Sequence, residues 1–88
     1  MKISCGFPPS VEHLPHVELA EELGYDAVWF YDSPALYEDV WMLLALAADR
    51  TERVTLGTAV LVPDLRHVLV TASAIATLEH LAPGRVEI

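Results

Sequence analysis

Four short runs rich in β-branched and aromatic residues recur along this chain, starting roughly 24 to 31 residues apart with a helical pattern between each pair. They are Lys2 to Phe7, Asp26 to Tyr31, Val54 to Val62 and Arg85 to Ile88. The second, DAVWFY, lacks polar alternation, as expected for a parallel strand covered on both faces. Between the runs, the spacing predicts helices over Leu14 to Leu23, Glu38 to Asp49 and His67 to Leu81. Such alternation points to one fold class: α/β, a parallel sheet with helical crossovers of a single hand.

Local signals agree with these boundaries. Pro8-Pro9-Ser10 stops the first strand, and Gly24 stands where a helix C′ residue belongs. Glu38 and Asp39 lie at the dipole-positive start of the second helix, and Pro83-Gly84 ends the third. A complete (β/α)₈ barrel takes about 250 residues, whereas this chain has 88. It therefore holds three and a half βα units of a TIM barrel, or else a small doubly wound sheet. Nothing follows the last strand to cover it, which favours the barrel piece. Residues 1–88 are expected to be one partial barrel domain, truncated after the start of its fourth strand.

Composition narrows the partners. Thirteen acids against five Lys and Arg leave a net charge of −8, which argues against nucleic acid and anionic membranes, both of which need a cationic patch. No apolar run is long enough to span a bilayer, and the start MKISCGF has no signal-peptide pattern. The single cysteine, Cys5, fits a reducing cytoplasm and a place in the core. A hydrophobic content of 53% is high for a body this small, and it suggests that the chain lacks part of its packing partner.

In parallel α/β folds, ligands sit at the carboxyl ends of the strands. Three segments should meet there: Gly6-Phe7-Pro8, Tyr31-Asp32-Ser33, and Thr58-Ala59-Val60 with Pro63. Gly57, Thr58 and Ala59 are poor strand-interior residues, and they would let a flat ligand reach the backbone at a bulge. Asp32 also suits a turn or cap before Pro34, Ala59 suits simple packing, and Trp29, Phe30 and Tyr31 suit the core.

The order of a strand ending Gly-Phe, then AEELGYDAVWFYDS, LGTAVLVP with RH, and TASAIATLEHLAPGRVEI resembles the N-terminal part of the luciferase-like monooxygenase superfamily of flavin and deazaflavin enzymes. Leu78 to Ile88 is the most specific part of that resemblance. It implies a (β/α)₈ barrel with the flavin ring at the strand ends, and a bulge in the third strand with a non-prolyl cis peptide at Ala59-Val60. It further implies that Asp32, Ser33, Thr58, Ala59 and Val60 line the cofactor site and that Gly6 and Phe7 lie toward the substrate. The cofactor would be FMN or the deazaflavin coenzyme F-420, and the partner a small-molecule substrate. Family members often dimerise through the helices after strands two and three, which implies a homo-oligomer through residues 38–49 and 67–81, with Trp41 at or near the contact.

Three residues depart from the family pattern. Ala59 stands where deazaflavin reductases usually have Gly, Ser33 where sugar- and alcohol-oxidising members have His, and Val68 where many members have Pro. His13, His16, His67 and His80 invite a metal hypothesis, but no dense Cys, His and carboxylate constellation supports it, so no metal is expected. Glu18, Glu21 and Glu22 read as a solvated helix face, and Arg66 as a surface residue or a partner for an anionic ligand.

Two functions remain. One is the N-terminal part of a cytoplasmic flavin- or deazaflavin-dependent oxidoreductase or monooxygenase, inactive alone and binding cofactor weakly or not at all. The other is a non-catalytic assembly module that keeps the dimerisation helices.

Overall fold

The computed structural model describes residues 1–88. Strand β1 is Ser4–Phe7, helix α1 Leu14–Glu22, β2 Ala27–Phe30, α2 Val40–Arg50, β3 Thr55–Thr58, α3 Val68–Leu81 and β4 Val86–Glu87. Short 3₁₀ turns occupy Val11–His13 and Pro63–Leu65. All four strands pair in parallel, in the order β1-β2-β3-β4. Each crossover steps one strand onward without reversing. That is the wall of a (β/α)₈ barrel and not a doubly wound sheet, whose strand order reverses at a switch point.

The core lies between one face of the sheet and the three helices. Val28, Phe30 and Leu56 project into it and meet Leu14 and Val17 of α1, Leu43, Leu44 and Ala47 of α2, and Leu78 of α3. Phe30, Leu44 and Leu56 are fully buried, each stabilising the fold by roughly 1.5–3 kcal/mol. Strand alternation sends Ser4, Gly6, Trp29, Thr55, Gly57 and Glu87 to the opposite face. No helix covers that face.

The helix ends follow their local chemistry. Ser10 caps the first 3₁₀ turn by accepting from Glu12 N at 3.3 Å. Gly24, with φ +88°, ends α1 in the left-handed region that glycine enters without penalty. Asp39 is the N-cap of α2 and accepts from Met42 N at 2.9 Å. The helix therefore begins at Val40, not at the expected Glu38, whose carboxylate instead accepts from Val11 N at 2.7 Å. His67 likewise stands outside α3 and caps it, its Nδ1 accepting from Leu69 N at 3.1 Å.

Two expectations need larger correction. The third strand does not run to Val62: it stops at Thr58, and Val60 is 75% exposed. The Val62 N–H donates to a carboxylate, at 3.0 Å from Asp32 Oδ2, and not to a neighbouring strand. Glu21 is not part of a solvated face. Its carboxylate accepts the N–H groups of Glu52, Arg53 and Val54 at 2.6 to 3.1 Å, so it holds the entry to β3. Burial pushes its pKa up, but those three N–H groups and the Arg53 charge bring it below the ordinary value.

Arg85 closes the fold at the other end. Its guanidinium donates to Thr51 Oγ1 at 2.9 Å and to the carbonyls of Val54, Thr51 and Ala48 at 3.0, 3.1 and 3.3 Å. Two of these acceptors lie at the C-terminal end of α2, where carbonyls have no intrahelical partner. No helix of the chain is long and apolar enough to cross a membrane.

Candidate functional site at the strand ends

The sheet register brings the three expected segments into one row. Phe7 pairs with Phe30, and Phe30 with Thr58. Beyond the last pairs, Tyr31 N donates to Phe7 O at 3.3 Å and Ala59 N to Phe30 O at 2.9 Å. Gly6, Tyr31-Asp32-Ser33 and Thr58-Ala59-Val60 are therefore neighbours at the carboxyl edge. The peptide between Ala59 and Val60 is cis, the form that the family resemblance implies.

The side chains divide within that row. Gly6 lies on the open face, where a Cβ would sit 3.3 Å from Tyr31 Cε1. Val60 projects outward at the end of β3. Phe7 turns the other way: its ring stacks on His13 and His16 at centroid distances of 5.4 and 6.1 Å, so only its backbone belongs to the open face. Thr58 is buried beside Phe30 on the helix-covered face, and its hydroxyl has no hydrogen-bond partner. The Ser33 carbonyl accepts from Leu36 N and Tyr37 N at 3.3 and 3.0 Å, heading a tight turn with Ala35 at φ 75°.

Asp32 is the charged centre of the row. Its side chain is fully buried, and Arg66 meets it with both terminal nitrogens: Nη2 on Oδ1 at 2.7 Å and Nη1 on Oδ2 at 2.9 Å. The Arg66 guanidinium holds the carboxyl below the usual carboxylate range, against the effect of burial and with help from Val62 N–H. Arg66 is thus neither a free surface residue nor a waiting anion site. Sequence reasoning missed this pair because its members stand 34 residues apart. The one available signal was an arginine in a mostly apolar turn, close after the third strand.

Other candidates fall outside the row. His13 and His16 approach each other at 3.2 Å between Nδ1 atoms, and no group of three or more His, Cys, Asp or Glu is placed to hold a metal ion. Burial pushes the half-buried Cys5 thiol up, away from the reactive thiolate. The three concavities of the chain lie elsewhere: between α2 and α3, against α1, and at the amino ends of the strands. The open edge at the carboxyl ends is a surface, so concavity does not locate the site; strand direction and register do.

A parallel sheet stepping one strand at a time, with its irregular residues gathered at the carboxyl ends, defines the wall of an α/β barrel. Residues 8–88 match the family model described as luciferase-like monooxygenase, and the chain belongs to that family. An F420-dependent glucose-6-phosphate dehydrogenase of Intrasporangium calvum is 41% identical over 85 residues, covering 85% of this chain and 25% of that protein. The solved structure of a coenzyme F420 dependent tetrahydromethanopterin reductase from Methanopyrus kandleri has a TM-score of 0.87 at 31% identity, covering 97% of this chain and 25% of that one. An F420-dependent secondary alcohol dehydrogenase in complex with an F420-acetone adduct has a TM-score of 0.81 at 27% identity, covering 100% of this chain and 31% of that one. The chain spans about a quarter to a third of the length of these relatives.

Proposed function

We propose that the strand ends form one wall of a deazaflavin site in a cytoplasmic oxidoreductase acting on a small-molecule substrate. The observation that carries this reading is the outward Val60, which follows Ala59 at the carboxyl edge of the sheet, with Gly6 two strands away on the open face. A flat ring needs an apolar contact and a backbone that it can approach closely, and this edge offers both. The F420-dependent relatives favour the deazaflavin over FMN. When bound, that cofactor supplies hydride transfer. The chain's part is to orient the ring, through the backbone of Ala59 and Val60, and to leave room for substrate at Gly6. Asp32, buried and ion-paired with Arg66, does not act as a proton acceptor, and Tyr31 and Ser33 are the other polar residues at the end of β2.

Barrels commonly grip phosphate with the loops after strands 7 and 8, and this chain has four strands. Binding by the 88-residue chain is therefore expected to be weak. Titrating the ¹⁵N-labelled chain with F420 and with FMN should shift the amides of Gly6, Tyr31 to Ser33, Ala59 and Val60 without saturation at micromolar concentration. Shifts confined to other regions, or none at millimolar F420, would remove this site.

We also propose that α2 and α3 pair with those of a second copy. The cleft of about 230 Å³ between them is lined by Trp41, Met42, Ala45, Ala74, Thr77, Leu78 and Leu81, none of them charged. In a chain of net charge −8, that is where two copies meet with least repulsion. Trp41 packs against the core, so its replacement would disturb the fold itself, whereas Met42 is 71% exposed. Met42→Glu is expected to give a folded monomer where the unmodified chain gives a dimer by light scattering. A monomeric unmodified chain at high concentration would refute the contact.

A further inference from the structure

We propose that Asp32 and Arg66 are a positioning pair: a latch that fixes the turn 59–66 across the end of β2 and thereby sets the position of Val60. The hydrogen bonding of that turn is lopsided. Ala59 is still tied to β2, through Phe30 O. Beyond it, every hydrogen bond that residues 60–66 make outside their own turn ends on the Asp32 carboxylate, from Val62 N, Arg66 Nη1 and Arg66 Nη2. The one remaining bond is local, from Leu65 N to Val62 O at 3.3 Å.

Apolar burial does not hold the turn either. Val60, Val62 and Leu65 are 75%, 38% and 49% exposed, and of the turn's apolar residues only Leu61 is half-buried, so the turn gains little from the core. The ion pair is shielded: the Asp32 side chain is 0% and that of Arg66 15% accessible. Solvent and salt therefore screen it far less than a surface pair. Its two-pronged geometry fixes orientation as well as distance, which a lysine could not reproduce. One oxygen of Asp32 takes one donor and the other takes two, and the side chain is 0% accessible, so the carboxylate is closed to a ligand by burial beneath the turn. Its role at the strand ends is to hold the turn, and Arg66 acts on the site through it.

The latch stands on this geometry alone; its consequence for a cofactor rests on the deazaflavin reading above. The test is amide hydrogen exchange on the 88-residue chain, comparing the unmodified protein with Arg66→Ala, Arg66→Lys and Asp32→Asn. In Arg66→Ala, exchange at Val62 and Leu65 is expected to accelerate about tenfold or more, with β2 and α2 amides unchanged. Arg66→Lys, which keeps the charge without the fork, should recover part of the protection and serves if the alanine variant does not fold. Equal acceleration in β2 and α2 across the folded variants, or no change at Val62, would overturn the latch.

A second arm titrates F420 and follows the Val60 amide. A response in the unmodified chain that moves to at least severalfold higher F420 in Arg66→Ala, and part of the way back in Arg66→Lys, supports positioning. An unmoved midpoint refutes positioning while leaving the site intact. No response in the unmodified chain refutes the deazaflavin reading, and the exchange arm still decides the latch.

Discussion

Gly57→Ala is expected to detach β4 from the sheet and to lower the unfolding free energy by about 3 kcal/mol. A methyl group at Gly57 would overlap the carbonyl oxygen of Glu87 and come within 2.6 Å of Trp29 Cζ3. The tryptophan ring can shift, but the carbonyl belongs to the backbone of the neighbouring strand, so the strand has to move. With it goes the bond from Leu56 N to Arg85 O, 2.7 Å long. Amide exchange should show Leu56 unprotected, and urea unfolding a lower midpoint. A variant with wild-type midpoint and a protected Leu56 would show that the sheet accommodates the methyl. The result bears on function too, because this glycine precedes the site: what comes close to its backbone is a strand and an indole, not a ligand.

Arg85→Ala should cost about 2–3 kcal/mol, because it leaves three carbonyls and the Thr51 hydroxyl without their charged donor. A domain of this size has roughly 5–10 kcal/mol in total, so the loss corresponds to a fall in Tm of roughly 10–20 °C. Arg85→Lys should recover only part of it, since a single ammonium cannot span acceptors at both the end of α2 and Val54, just before β3. Thermal unfolding followed by circular dichroism decides the matter, and a fall of less than about 4 °C in the alanine variant would mean that water replaces the guanidinium at those carbonyls. These contacts also give a physical reason for an arginine within LAPGRVEI, the stretch that carries the most specific family resemblance: it ties the end of one βα unit to the next strand.

Much of the fold was legible because it is written in neighbours. Gly24 ends α1, Asp39 starts α2, and the runs AVWF and TLGT sit in β2 and β3. These depend on φ preference, capping and periodicity over a few residues. The three strand-end segments were legible too, since parallel crossovers place all carboxyl ends on one edge. The extent of β3 was not. Val60-Leu61-Val62 has the composition of a buried strand, and its exposure follows from a hydrogen bond to Asp32 that local pattern does not encode.

The sequence by itself determined the fold class and the number and direction of the strands, consequences of local periodicity and of the handedness of crossovers, while its motifs carried the resemblance to the family. Only the tertiary structure decided which face each site side chain takes, sending Phe7 to the histidines and Thr58 to the core while Val60 turns outward. It alone joined Asp32 to Arg66, Glu21 to the entry of β3, and Arg85 to the end of α2. The physical reason is common to all three. Each charged group meets partners some 30 residues away that only sheet register and helix packing bring within hydrogen-bonding distance, and in the linear chain each is indistinguishable from a solvated charge.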